Sequence, residues 1–146
     1  MKRNAAANTA ITGIGAANAG YALWQDFAPA GSAFCNLSTT FSCDIVNKSP
    51  FSEFLGVPVA LIGIVGNIAL LAAGLWLLRH PRNAATVYLA LALGALGFSL
   101  YLTGIEIFLL GVYCVVCLFS QGMVLTITAL AILAWRKSRT PAPVVA

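Results

Sequence analysis

Residues 56–78 read Gly-Val-Pro-Val-Ala-Leu-Ile-Gly-Ile-Val-Gly-Asn-Ile-Ala-Leu-Leu-Ala-Ala-Gly-Leu-Trp-Leu-Leu, 23 positions without a charge. About 20 helical residues cross the hydrocarbon core of a bilayer, so Gly56 to Leu78 is a membrane span. Two further stretches have the same character, Ala84 to Ile105 (22 residues) and Ile107 to Trp135 (29 residues). The whole chain of 146 residues follows suit, with 60% hydrophobic residues, 8% charged ones and a mean hydropathy of +0.92. An average soluble domain is about 25% charged, and one of this size cannot hide so much apolar surface. A soluble enzyme, a disordered tail and a nucleic-acid binder are excluded, and the net charge of +4 is a membrane-topology signal.

Seven of the eight Lys and Arg fall into three clusters: Lys2 with Arg3, Arg79 with Arg82, and Arg136 with Lys137 and Arg139. Under the positive-inside rule all three are cytoplasmic, which requires an even number of spans between neighbouring clusters. Arg82 and Arg136 are separated by spans at 84–105 and 110–135 that turn outside near Glu106. Arg3 and Arg79 are separated by the 56–78 span and therefore by one more. Residues 9–27 supply it, although Asn18, Gln25 and Asp26 make its hydropathy poor. The competing reading is a cleaved signal peptide ending at Ala28-Pro29-Ala30; the Pro in that motif and the Asn in the apolar region favour a retained helix. The expected fold is an all-α membrane protein, a single domain over 1–146. It has four transmembrane helices, an outer loop at 28–55, a cytoplasmic tail at 136–146, and both termini cytoplasmic.

Within the loop, Ser49 to Leu55 reads as a short interfacial helix. Ser49 is the N-cap, Pro50 the first helical residue, and Phe51, Phe54 and Leu55 form one apolar face. Trp76, Tyr88 and Trp135 are expected at the inner membrane boundary, with Trp24, Tyr101 and Tyr113 at the outer one. All eight Phe (27, 34, 41, 51, 54, 98, 108 and 119) fall in the outer half or the loop, as an interfacial cap or as a wall around a flat apolar ligand.

The chemistry lies in four cysteines, all on the outer side, where disulfides persist. Cys35 and Cys43 lie in the loop; Cys114 and Cys117 form a C-x-x-C where the last span begins. That spacing places two sulfurs on one helical face, and the free N–H groups of a helix start favour a thiolate. Two pairs on one side suggest a relay in which a thiolate of one attacks the disulfide of the other. A four-thiolate metal site is disfavoured, since His80 is at the opposite end and no second C-x-x-C exists.

From about Tyr21 to Trp135 the chain resembles the vitamin K epoxide reductase family in its short form. The residues that carry the resemblance are Cys35; Ser42-Cys43-Asp44 with Ser49 following; Phe51-Ser52-Glu53-Phe54-Leu55-Gly56-Val57-Pro58; and Tyr113-Cys114-Val115-Val116-Cys117. The resemblance implies a membrane thiol-disulfide oxidoreductase whose helices surround a quinone (ubiquinone, menaquinone or a related naphthoquinone) near the outer face. Cys117 would lie next to the quinone, Cys114 would exchange with Cys43, and Cys35 would meet the external partner. Ser49 would support the loop or the cysteine pair. The chain departs from the animal members at Gln121, where they have Tyr, and near Val59, where they have Asn, which argues against vitamin K epoxide as substrate. Many bacterial members carry a fused thioredoxin-like domain; with nine residues after Lys137, a separate soluble thioredoxin-like protein is expected instead.

Among polar groups in the spans, Gln121 lies one turn below Cys117, within reach of a quinone carbonyl. Asn67 is read first as an interhelical hydrogen-bonding group and second as a ligand. Phe119 and Val59 complete the expected quinone wall. Glu106 is read first as a solvated turn residue and second as a proton acceptor during quinone reduction. The function expected is transfer of electrons from extracytoplasmic dithiol proteins to a membrane quinone, in support of disulfide formation. A quinone or quinone-epoxide reductase and a cysteine-based metal-handling membrane protein are the alternatives.

Overall fold

The computed structural model describes residues 2–139. The end of the expected tail, 140–146, and the side chains of Lys2 and Arg3 lie outside the described residues. Four long helices account for most of the chain: α1 (Lys2–Phe27), α3 (Val59–Arg79), α4 (Pro81–Ile105) and α5 (Val115–Arg139). Between α1 and α3 lie a short helix α2 (Cys43–Asn47), a single 3₁₀ turn (Pro50–Ser52) and strands β1 (Glu53–Phe54) and β2 (Val57–Pro58). One turn of π-helix, Glu106–Leu110, extends α4 before Gly111, at φ 62°, releases the chain.

Among the described residues, three helical segments are long and apolar enough to cross a membrane: Val59–Arg79, Arg82–Leu110 and Val115–Arg139. The chain is a multi-pass integral membrane protein. At 26 residues α1 has the length but is not among these three. Its Ala-rich sequence suits a helix, and it packs along α3 and α5. Asn18, which weakens its hydropathy, donates from Nδ2 to Ser120 Oγ (2.6 Å) and to the Val116 carbonyl (3.2 Å) on α5. Gly15 lies so close to α3 that a Cβ there would collide with Asn67 Oδ1. Asn67 itself donates to the Gly63 carbonyl of its own helix (2.8 Å).

At the end of the bundle that carries the basic residues 79, 82 and 136–139, small side chains let the helices meet. Ala73, Ala84, Ala85, Ala92 and Ala131 pack with Leu70, Leu77 and Ile127 around Tyr88. Close approach over small residues is the usual basis of helix association in lipid. Tyr88 is fully buried in this cluster, which corrects its expected place in an interfacial belt; Trp24, Trp76 and Tyr101 are well exposed. α3 passes to α4 through His80 alone, whose backbone (φ −134°, ψ 70°) lies outside the helical region that a following proline disfavours.

The helix expected over Ser49–Leu55 is reduced to the 3₁₀ turn Pro50–Ser52, and Ser49 Oγ donates to the Val46 carbonyl (2.8 Å) instead of capping. Glu53 and Phe54 are taken up instead by strand β1, paired with β2. Leu55 and Gly56, at φ 55° and 80°, form the two-residue turn of a tight hairpin in which Phe54 pairs with Val57. The loop's helix is α2, entered through Ser42, whose Oγ accepts from the Ile45 N–H (3.4 Å). Lys48 follows it and donates from Nζ to the Ala28 (2.6 Å) and Gln25 (3.4 Å) carbonyls, placing a cation at the C-terminal end of α1.

Candidate functional site

The site is assembled by a junction between the loop and the segment that leads into α5. Phe41 forms a parallel bridge with Tyr113, in which the Tyr113 N–H donates to the Thr40 carbonyl (2.8 Å) and the Ser42 N–H to the Tyr113 carbonyl (3.1 Å). The rings of Phe41 and Tyr113 pack at 5.7 Å. Cys43 lies two residues beyond Phe41 and Cys114 one beyond Tyr113, so this register sets the two cysteines against each other.

The loop is held in shape by Asp44, quoted in the sequence motif without a role, and by Asn36. Asp44 Oδ2 accepts from the Gly31 N–H (2.5 Å) and from Asn36 Nδ2 (2.6 Å). Asn36 Oδ1 accepts in turn from Ser42 Oγ (2.9 Å) and the Asp44 N–H (3.3 Å). Hydrogen bonds to a charged group, such as the two on Asp44, contribute about 1.5–3 kcal/mol each. Together these bonds fold residues 31–44 into a compact clasp.

Cys35 and Cys43 are joined by a disulfide, with Cα atoms 5.8 Å apart. Cys114 and Cys117 are both free, Cys114 fully buried and Cys117 partly so. Cys114 Sγ lies 3.4 Å from Cys43 Sγ and also accepts the Cys117 N–H at 3.4 Å. It thus occupies the N-cap position of α5, where a side-chain acceptor satisfies an otherwise free donor. The Cys114 thiol lies one residue ahead of the apolar helix, and its pKa falls below the ordinary thiol value. The largest cause is the side-chain hydrogen bond with Cys117; the N–H groups of Cys117 and Val116 add to it, while burial and the Glu106 carboxylate oppose it.

Glu106 is the main correction to the sequence reading of the site. Far from being solvated, it is 3% exposed and accepts the Cys114 N–H (3.2 Å). The signal was present: it is the one charge between Arg82 and Arg136.

Behind Cys117 a cavity of about 460 Å³ opens between α1, α3, α4 and α5, within the usual range of small-molecule sites. Its wall is largely apolar, with Val59, Leu91, Phe98, Leu102 and Phe51 prominent; Cys117, Glu106, Ser120, Ser99 and Thr103 supply polar atoms. Of the residues singled out in sequence, Cys117, Val59, Ser49 and Glu106 line it. Gln121 is turned toward α4, where its Oε1 accepts from Ser99 Oγ and Thr103 Oγ1. Phe119 is 54% exposed on the outer surface of α5, and Asn67 sits in the α1–α3 contact. The structure does not bring these three to the cavity. Of the eight Phe, Phe51 and Phe98 reach it. Phe54 packs edge-on against Phe98 behind the wall, at 5.9 Å.

These features define a helical membrane protein in which a disulfide, a free dithiol and an apolar cavity adjoin one another. The profile described as Vitamin K epoxide reductase family matches residues 6–132, most of the chain, and the chain belongs to that family. Its activity class is accordingly that of an oxidoreductase.

Proposed function

We propose that the protein passes electrons from extracytoplasmic dithiol proteins, through its two cysteine pairs, to a membrane quinone, and so supports disulfide formation. The observation that carries this reading is the 3.4 Å separation between Cys114 Sγ and Cys43 Sγ, with Cys117 on a cavity wall just behind. In this reading α1 is a retained first span, both termini are cytoplasmic, and all four cysteines belong to the outer side. A soluble thioredoxin-like protein reduces the Cys35–Cys43 disulfide at Cys35. The Cys43 thiolate then attacks Cys114 of an oxidised Cys114–Cys117 pair, and Cys117 leaves as a thiolate. Cys35 next attacks Cys43, restoring the loop disulfide and leaving the inner pair reduced. The observed arrangement of sulfurs corresponds to the end of this sequence.

The cavity suits a quinone by its volume, its aromatic and aliphatic wall and its contact with Cys117. When bound there, ubiquinone, menaquinone or a related naphthoquinone supplies the two-electron acceptor. Cys117 is the sulfur in contact with it, Val59, Phe98 and Leu102 hold it, and Ser49 anchors the loop above it. Driving force then comes from the quinone pool, which keeps such a compartment oxidising even against strongly oxidising soluble partners of about −120 mV. The test is anaerobic mixing of the purified protein with a reduced thioredoxin-like protein and a quinone, followed by quinone absorbance. Stoichiometric quinol is expected; no reduction of any quinone would refute the proposal.

A further inference from the structure

We propose that Glu106 is the proton acceptor for the Cys117 thiol, a carboxylate built into the cavity wall to make that cysteine reactive without hydroxide from solution. A carboxylate this deeply buried is costly to keep unless it is bonded. Glu106 has such a bond, and it goes to the cysteine pair: its Oε2 accepts the Cys114 N–H at 3.2 Å, which fixes the carboxylate on the cavity wall that the Cys117 thiol also lines. No Lys, Arg or His among the described residues lines the cavity to neutralise it. The titratable side chains on that wall are Glu106 from the end of α4, Cys117 from α5 and Asp26 from α1; Cys114 faces Glu106 from the start of α5, and α3 contributes none.

The step balances simply. The Cys117 S–H bond breaks, an O–H bond forms on Glu106, and the electron pair stays on sulfur. For the oxidation that comes next, the inference rests on the quinone-linked reading. A bound quinone would take the two electrons released as Cys114 and Cys117 close to a disulfide; on this chain, Glu106 would hold one of the two protons at the cavity wall and Cys114 would give up the other. Glu106 thus couples thiol oxidation to proton delivery at one wall of one cavity.

The test needs no quinone, so its failure is separable from failure of the proposed activity. In Cys114→Ser protein, with the Cys35–Cys43 disulfide intact, Cys117 is the single free thiol, and its alkylation by iodoacetamide is followed by mass across neutral pH. An ordinary thiol reacts in proportion to its thiolate, about tenfold faster per pH unit below its pKa. Internal transfer to Glu106 makes the reactive form independent of pH while Glu106 is ionised, so a level rate is expected. Glu106→Gln, which keeps an oxygen to accept the N–H of residue 114, should restore the rise of about tenfold per pH unit; Glu106→Asp should keep a level, lower rate. A tenfold-per-unit rise with Glu106 in place overturns the proposal whether or not the Gln variant folds. Faster alkylation in Glu106→Gln at neutral pH would also overturn it, since the carboxylate would then act only by repelling the thiolate.

Discussion

Replacing Cys117 with Ala removes the sulfur that would release Cys114 from a mixed disulfide with the loop. The remaining three sulfurs can then hold one disulfide, and of the three pairings the structure brings together Cys35–Cys43 and Cys43–Cys114. The 3.4 Å between Cys114 Sγ and Cys43 Sγ is about 1.4 Å more than a sulfur–sulfur bond, a distance that side-chain rotation covers without moving the backbone. One sulfur confined to a sphere of 3.4 Å radius corresponds to an effective concentration of about 10 M. Against ~1 mM glutathione that is a preference of about 10⁴, or about 5.5 kcal/mol. The Cys43–Cys114 bond should therefore survive millimolar monothiol. Because Cys35 is bonded to Cys43 in the structure and competes with Cys114 for it, the two disulfides should coexist in Cys117→Ala protein. In Cys35→Ala/Cys117→Ala protein the Cys43–Cys114 bond should be nearly complete. The assay is non-reducing proteolysis and mass spectrometry, reading the peptide containing Cys43 joined to that containing Cys114. A Cys35–Cys114 peptide would exchange the roles of the loop cysteines. Absence of any Cys43–Cys114 peptide in the double variant would refute the argument from the Phe41–Tyr113 register.

The direction of the Cys114 shift gives a pH dependence. Its thiolate is favoured chiefly by the side-chain hydrogen bond with Cys117, so it persists to lower pH than an ordinary thiolate. Cys117→Ser, which keeps a hydroxyl donor, should form the Cys43–Cys114 bond at lower pH than Cys117→Ala, and identical pH profiles would contradict that cause. With quinone as acceptor, Cys114→Ala and Cys117→Ala should each abolish turnover with every donor. Cys35→Ala and Cys43→Ala should still accept electrons from small dithiols that enter by the cavity; equal loss in all four would refute the division of labour. For topology, a membrane-impermeant maleimide applied outside reduced cells should label Cys35 or Cys43 while a reporter fused after Ala146 is cytoplasmic, and an external reporter would overturn the assignment of sides. Asn18→Leu removes two hydrogen bonds to α5 and should lower stability in detergent by about 0.6 kcal/mol, at most ~1.7 kcal/mol, read by thermal unfolding; no change would mean that α1 is held by its packing alone.

Hydropathy and charge spacing by themselves determined the three apolar spans and the break between α3 and α4. A charge-free run of 20 or more residues has one low-energy fate in a bilayer, and a Pro after His80 disfavours helix just before it. The four cysteines and their grouping into two pairs were equally legible, because spacing along one chain is a sequence property. The conformation of residues 31–58 was not legible. The loop's true helix is capped by Ser42 and its clasp is tied by Asp44 and Asn36, through contacts with Gly31 and Tyr113 that local periodicity cannot encode. Gln121, Phe119 and Asn67 lie within a turn or so of the positions expected of them, yet face other ways. Helical spacing gives a residue's level along the axis, whereas the neighbouring helices decide which side of it is cavity, contact or lipid. Glu106 is the sharpest instance: in sequence a lone charge at a turn, it is buried against two cysteines because the π-turn and Gly111 fold the end of α4 back over the start of α5. Only the tertiary structure could decide that, since burial and the partners that make it tolerable come from residues remote along the chain or turned away from it.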